Sequence, residues 1–233
     1  MSERSQRLIG LYAVIAAIGS AIIAPLLALA YFHIEDGEDS LDQSSVSSWA
    51  DPAYRHLHGL LTFASPDRVY TTYLGLIALL FPAVILCAWI VKSQRAAPLR
   101  GSERWGWRIA LAGYLLAGIG LTIVAVLATG GASPNSSIIN VVFLALMIPG
   151  MLITMIGSTV LGIGLLRSGF APKATAWLLA LSIPFMIVGS AVLGHNSLGM
   201  VSLFVAWGVA GWRLWSAGAY ADAAASASPS LSR

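Results

Sequence analysis

The sequence has little charge and almost no cysteine. Only 10% of its 233 residues are Asp, Glu, Lys or Arg, whereas a soluble domain contains about 25%. Hydrophobic residues make up 58%, so the composition excludes both the ordinary soluble class and the disordered class. The single cysteine, Cys87, excludes a disulfide scaffold and a cysteine-based zinc or iron–sulfur site. These absences indicate that most of the chain is surrounded by lipid.

Six apolar runs are long enough to cross a bilayer, which requires about 20 residues of helix. Their only charged residue is Arg213, near the end of the last run. The runs lack the alternation of a membrane β-barrel, so each is predicted to be helical. We therefore predict an all-α membrane protein, a six transmembrane helix bundle of residues 1–215 with a disordered cytoplasmic tail at 216–233. The predicted spans are Leu8–Phe32, Val69–Val91, Ile109–Thr129, Ile138–Leu166, Ala174–Leu193 and Leu198–Trp215.

Charged residues divide unequally between the two sides of this predicted bundle. Eleven of the 13 Lys and Arg residues fall on the side that holds both termini, and the other two are Arg55 and Arg68. Loops rich in basic residues stay in the cytoplasm, so both termini are expected there. The alternative is that Ala28-Leu29-Ala30 is a signal-peptidase site and the first span is removed. The basic side is expected to contact lipid headgroups and not nucleic acid, because no nucleic-acid-binding motif accompanies it.

The loop at residues 33–68 is the only sizeable polar segment outside the predicted spans. Its first half is acidic and serine-rich and is expected to be mobile. Asp51-Pro52 is typical of an N-cap followed by the first helical position. Apolar residues then recur at helical spacing, so Pro52–Ala64 is predicted to be a short amphipathic helix on the outer surface.

The four histidines all fall on the predicted outer side. Together with the acids of the first loop, they form a hypothetical metal or haem site. If residues 52–64 are helical, however, side chains two positions apart point about 200° apart and cannot bind one ion together. We favour the simpler interpretation that outer loops collect polar residues, and no cofactor is expected. The candidate ligands are His33, His56, His58 and His195.

Small residues recur at every fourth position in the fourth predicted span: Gly150, Thr154, Ser158 and Gly162. Such a stripe lets helices approach closely, and its hydroxyls can hydrogen-bond across the contact. Helix packing is the favoured interpretation, and a solute path lined by hydroxyls is the alternative. Proline residues inside four spans are predicted to interrupt the helical hydrogen bonds and to kink the helices. They are Pro25, Pro82, Pro149 and Pro184.

No sequence motif for catalysis is present. The chain has no G-x-S-x-G, no H-E-x-x-H and no phosphate-binding loop. The predicted spans also offer no titratable group at depth, which argues against proton-coupled transport. We therefore expect a protein without enzymatic activity.

The stretch from Gly162 through Arg167, with Pro172, Trp177 and the Gly194-His195 turn, is similar to a pattern in uncharacterised integral membrane proteins of high-GC bacteria. The resemblance implies a multi-pass protein of the bacterial inner membrane and assigns no activity.

Three functions remain open. The first is a non-enzymatic accessory, assembly or sensory partner. The second is a small permease-like transporter or channel for a neutral or apolar solute, acting as a homo-oligomer or with another membrane protein, and the third is an outer-facing haem or metal redox subunit.

Overall fold

The computed structural model describes residues 2–95, 101–132 and 136–227, and within these ranges it contains helices and no strand. A short 3-10 helix, Glu38–Asp42, lies between the first two α-helices. Two helices, α5 and α7, each include a five-residue π-helical segment. The helices are α1 (Glu3–Tyr31), α2 (Ser44–Leu61), α3 (Pro66–Ser93), α4 (Gly101–Thr129), α5 (Ser137–Arg167), α6 (Lys173–Ala180), α7 (Ser182–Val192) and α8 (Asn196–Ala227).

Five helices are long and apolar enough to cross a membrane: α1, α3, α4, α5 and the Asn196–Ser216 part of α8. The short helices α6 and α7 pass the same test together, although the pair is bent by 55°. The pair corresponds to the fifth predicted span, so the described residues contain five or six spanning segments. The prediction of an all-α membrane protein is confirmed.

Glycines determine how closely α4 and α5 pack. Gly106, Gly113 and Gly120 of α4 lie seven residues apart, as do Gly150, Gly157 and Gly164 of α5. Seven residues are about two helical turns, so each set lies on one face. A Cβ on any of these glycines would lie within about 3 Å of the facing helix, for example 2.4 Å from the backbone nitrogen of Ala110 for Gly157. The two helices are therefore in direct backbone contact along their length.

Prolines coincide with irregular backbone at two of the four positions predicted to kink. Pro149 lies two residues after the end of the π-helical segment Phe143–Met147, and Pro184 lies three residues after Leu181, where α6 and α7 are separated. Proline lacks the N–H that would bond the carbonyl four residues earlier, so the regular pattern fails at these sites. Pro25 and Pro82, in contrast, lie inside the continuous helices α1 and α3.

The amphipathic helix of the first loop is present but begins and ends earlier than predicted. It runs over Ser44–Leu61, not Pro52–Ala64, and Pro52 lies in its interior. The extra turns are stabilised by tertiary contacts, because Val46 is fully buried and Trp49 packs edge-to-face on Phe32. The serine-rich segment expected to be mobile therefore forms the 3-10 helix and the start of α2.

The bundle has two chemically different ends. The acidic end comprises Tyr31, the acidic loop that follows it, α2 and the turn between α7 and α8. The basic end comprises the start of α1 and the end of α3, with Arg7, Arg95 and Arg213. The tail at 216–233, predicted to be disordered, has a helical backbone as far as Ala227. Residues 228–233 lie outside the described part of the chain.

Candidate functional site

A cavity of about 320 Å³ lies inside the bundle towards its acidic end. We call it the acidic-end cavity. All of the spanning helices contribute to its lining, with α7 supplying Ser190. None of the described side chains that line it is an Asp, Glu, Lys or Arg. Its deeper walls are apolar and are formed by Leu74, Ile77, Phe81, Leu121, Met147 and Phe204.

Polar groups gather where the cavity approaches the acidic loop. His195 and Asn196 lie at the start of α8, and Tyr70 lies near the start of α3. The Tyr31 hydroxyl donates to the backbone carbonyl of Asp36 at 2.9 Å. A molecule in this cavity would therefore meet hydrogen-bonding groups at one end and hydrocarbon at the other.

His195 is held in place by its neighbours. Its Nδ1 lies 2.7 Å from the Ser197 hydroxyl, and that hydroxyl donates to the carbonyl of Ala24 in α1. The ring lies 4.8 Å from the ring of Tyr31. Burial lowers the pKa of His195 from its usual 6.5 to about 4, so the ring is neutral at pH 7. The turn itself requires Gly194, whose φ of +79° is unfavourable for other residues.

Irregular backbone surrounds this cavity. The π-helical segment of α5 contributes Phe143 and Met147, and that of α7 contributes Ser190. π-Helical turns inside α-helices occur frequently at functional sites. In transporters, broken helices near the membrane midplane form binding sites. The irregular backbone segments therefore lie in the same region of the bundle as the cavity.

A fully buried aromatic cluster lies beyond the apolar walls of the cavity, towards the basic end. Trp207 Nε1 donates to the Tyr114 hydroxyl at 3.3 Å, and the Tyr114 and Ser158 hydroxyls share a hydrogen bond of 2.8 Å. The Trp107 ring lies 5.9 Å from that of Trp207. Along α8, Trp207 separates Phe204 of the cavity from the basic end. The cluster therefore separates the cavity from the basic end of the bundle.

Two of the four candidate metal ligands, His33 and His58, contact the same Tyr54 ring, and the other two lie elsewhere. His33 stacks on Tyr54 at 3.8 Å and its Nδ1 donates to the Leu29 carbonyl, whereas His195 lines the cavity. His56 Nδ1 donates to the Pro52 carbonyl one turn earlier, and His58 contacts Tyr54 edge-to-face. Across residues 2–95, 101–132 and 136–227, no three His, Cys, Asp or Glu side chains are grouped as metal ligands.

The stripe of small residues in α5 faces two different neighbours. Gly150 and Thr154 contact α4, and the Ser158 hydroxyl bonds to Tyr114 of the same helix. Gly162 contacts α6, where a Cβ would lie 2.2 Å from the Ala180 nitrogen. None of the four residues lines the acidic-end cavity. In this structure the stripe therefore lies at two helix–helix contacts.

A buried ion pair near the basic end was missed by the sequence reasoning. Arg95 Nη2 lies 2.9 Å from Glu103 Oε1, and the Glu103 side chain is only 9% exposed. Trp107 Nε1 also donates to this carboxylate at 3.4 Å. Neither residue lies in an apolar run, so the sequence places both between the second and third predicted spans. The only available signal was an acid four residues before a tryptophan in a loop otherwise rich in arginine.

Comparison with protein-family models, with curated proteins and with solved structures finds no match to this chain.

Proposed function

We propose that this chain is a non-enzymatic bacterial inner-membrane protein that binds a small, neutral, largely apolar molecule in the acidic-end cavity and acts as a sensory or accessory partner. The single observation that carries the proposal is the uncharged cavity at the centre of the spanning helices. The proposed orientation places the acidic end outside and both termini in the cytoplasm, because basic residues favour the cytoplasmic side.

The chemistry of the cavity restricts the ligand. Its volume of about 320 Å³ is at the low end of the range of about 300–1,000 Å³ that is typical of ligand sites. A charged molecule would lose its hydration without meeting an opposite charge, which is costly. An apolar body against Phe81 and Leu121, with one or two hydrogen-bonding groups near Tyr70 and His195, matches the lining.

Binding without passage is favoured by the aromatic cluster. Trp107, Tyr114 and Trp207 are each 0% exposed, and hydrogen bonds hold two of them to each other. A solute in the cavity would have to displace these rings to reach the basic end. A sensory or accessory protein would bind the molecule and change its own contacts with a partner protein. That function does not require the aromatic rings to move.

A small permease for a neutral or apolar solute is the second candidate function. It is favoured by the 55° bend between α6 and α7, because transporters use broken helices to open and close their sites. Pro184 and the π-helical segment of α7 lie on the same bent pair. Rocking of this pair would be the movement that opens a path.

The binding proposal is tested with 1-aminoanthracene, a small neutral fluorescent amine, and the full chain in phosphatidylcholine nanodiscs. Fluorescence above that of protein-free nanodiscs is expected to saturate with the parent protein. Met151→Trp fills the cavity and is expected to weaken binding at least tenfold. Met155→Trp is the matched control, because Met155 lies one turn further along α5 and does not line the cavity. Equal signals from the two variants would contradict the proposal.

Solute flux separates the two candidate functions. Proteoliposomes containing the parent chain are mixed with a hyperosmotic solution of a neutral solute, such as glycerol, and shrinkage and recovery are followed by light scattering. A sensory or accessory protein is expected to match protein-free liposomes. Faster recovery with the parent, abolished by Met151→Trp and kept by Met155→Trp, would support the permease instead.

A further inference from the structure

A second cavity lies at the basic end of the bundle. Its volume is about 550 Å³, and it is bounded by α1, α3, α8 and the segment between α5 and α6. Three arginines from separate parts of the fold line it: Arg7 of α1, Arg95 two residues after the end of α3, and Arg213 of α8. We call it the basic-end cavity. The aromatic cluster of Trp107, Tyr114 and Trp207 separates it from the acidic-end cavity.

Contacts with neighbouring side chains hold the Arg95 guanidinium in position. Its Nη2 donates to the Ser168 hydroxyl at 3.0 Å as well as to Glu103, and its guanidinium lies 5.6 Å from the centre of the Phe170 ring. Its Nε is buried and makes no hydrogen bond with the described residues. Glu103 does not line the cavity. The guanidinium is therefore preorganised at the wall of the cavity.

The other polar groups of the cavity leave Arg213 as its most exposed cation. Gln94 Nε2 donates to Gln6 Oε1 at 2.8 Å, which links α3 to α1. Glu3 is the only acid in the described lining, its side chain is 88% exposed, and it lies 4.0 Å from Arg7. Arg213 is exposed at the rim. Arg95 is opposed by Glu103 and Arg7 lies near Glu3, so Arg213 is the arginine of the described lining that is most open to an incoming anion.

We propose that the basic-end cavity binds a phosphate group, carried either by an anionic lipid headgroup or by a soluble phosphate compound. Arginine presents planar pairs of N–H donors that match phosphate oxygens, and charge-assisted bonds of this kind are stronger than neutral ones. The cavity is much larger than one phosphate, so it has room for the group that carries it. Basic pockets at helix ends on the cytoplasmic side of membranes bind lipid headgroups in this way.

The lipid source is tested by native mass spectrometry of the full chain from nanodiscs of phosphatidylcholine with 20% phosphatidylglycerol. One phosphatidylglycerol is expected to stay bound after the other lipids leave. Arg213→Gln is expected to reduce its retention about tenfold or more, the effect of losing one bond between charged groups. Arg108→Gln is the matched control: Arg108 is exposed, lies over Trp105 and does not line the cavity.

The soluble source is tested in nanodiscs of phosphatidylcholine alone. Addition of inorganic phosphate or glycerol phosphate is expected to raise the melting temperature of the parent and of Arg108→Gln but not of Arg213→Gln if the ligand is soluble. In either assay, an effect of Arg213→Gln that Arg108→Gln does not share supports the site. The assay that shows the effect identifies whether a lipid or a soluble compound carries the phosphate group. If neither assay distinguishes Arg213→Gln from Arg108→Gln, the arginines act only as general surface charge and the proposal is overturned.

Discussion

Gly113 of α4 lies directly against the backbone of Thr154 in α5, so that a Cβ on Gly113 would stand 2.4 Å from the Thr154 nitrogen. The same relation recurs about one turn away, where Gly157 faces Ala110. This proximity lets Tyr114 reach across to Ser158 at 2.8 Å and complete the aromatic cluster. The separation of the two cavities thus depends on glycine at the α4–α5 contact.

Gly113→Ala is expected to destabilise the protein by about 1–3 kcal/mol, the usual cost of overpacking. Its new methyl group would meet backbone atoms, which cannot rotate away. Gly75→Ala in α3 is the control, because the nearest atom to its Cβ would be 3.8 Å away. Thermal unfolding in mild detergent measures both. Similar melting temperatures for the two variants would show that the contact between α4 and α5 is not tight.

Substitutions of Thr154 are expected to change the melting temperature through the size of the new side chain and not through its polarity. Its side chain is 4% exposed, and its hydroxyl makes no hydrogen bond with the described residues. Thr154→Val keeps the shape and removes an unsatisfied group, so the melting temperature should stay the same or rise. Thr154→Leu should lower it, because Gly113 leaves no room for a longer side chain. A Thr154→Leu protein that extracts and melts like the parent would contradict the packing interpretation.

Glu103→Gln is expected to cost about 1–3 kcal/mol of stability, because it weakens a hydrogen bond between charged groups at a side chain that is only 9% exposed. The double variant Arg95→Met with Glu103→Leu should recover much of that loss, since it removes both charges. Glu3→Gln serves as the control at an 88% exposed carboxylate and should change stability by less than about 1 kcal/mol. Equal melting temperatures for Glu103→Gln and Glu3→Gln would refute the buried pair.

His195 is expected to make stability depend on pH. The unfolded chain takes up a proton on this ring near pH 6.5, whereas the folded chain does so near pH 4. Above pH 6.5 the ring contributes no pH dependence. Between pH 6.5 and pH 4 the unfolded state binds more protons, so the free energy of unfolding falls as the pH falls, by up to about 1.4 kcal/mol per unit.

The measurement is thermal unfolding of the parent and of His195→Gln between pH 8 and pH 4. Subtracting the two curves removes the titration of the carboxylates in the acidic loop. The parent should lose more stability than the variant on acidification. Parallel curves would mean that His195 is as easily protonated in the folded chain as in the unfolded one.

The histidines allow a direct test of the metal hypothesis. Because His33 and His56 each donate to a backbone carbonyl one turn earlier, and no three ligands are grouped within the described residues, chelator treatment should leave the melting temperature unchanged. Elemental analysis and a visible spectrum of the purified protein check this. One metal ion per chain, or a Soret band, lost in His56→Ala or His195→Ala, would restore the redox hypothesis.

The sequence predicts the spans well because apolar length alone determines them. It does not predict the start of α2, since the helix at Val46 depends on a contact with the distant turn at Gly194. Likewise, the stripe from Gly150 to Gly162 can be recognised in the sequence. Its spacing does not predict, however, that Gly150 faces α4 and Gly162 faces α6. The acidic-end cavity has no sequence signal, because its residues come from all of the spans.

The central claim is that the acidic-end cavity accepts an uncharged, apolar occupant, and xenon tests it most directly. Dry apolar cavities bind xenon, whereas polar cavities hold ordered water. In crystals of the full chain under xenon pressure, we expect a xenon peak between Phe81, Leu121 and Met147, absent in Met151→Trp and present in Met155→Trp. Ordered water throughout the cavity, or side chains that fill it and leave no xenon peak, would contradict the account.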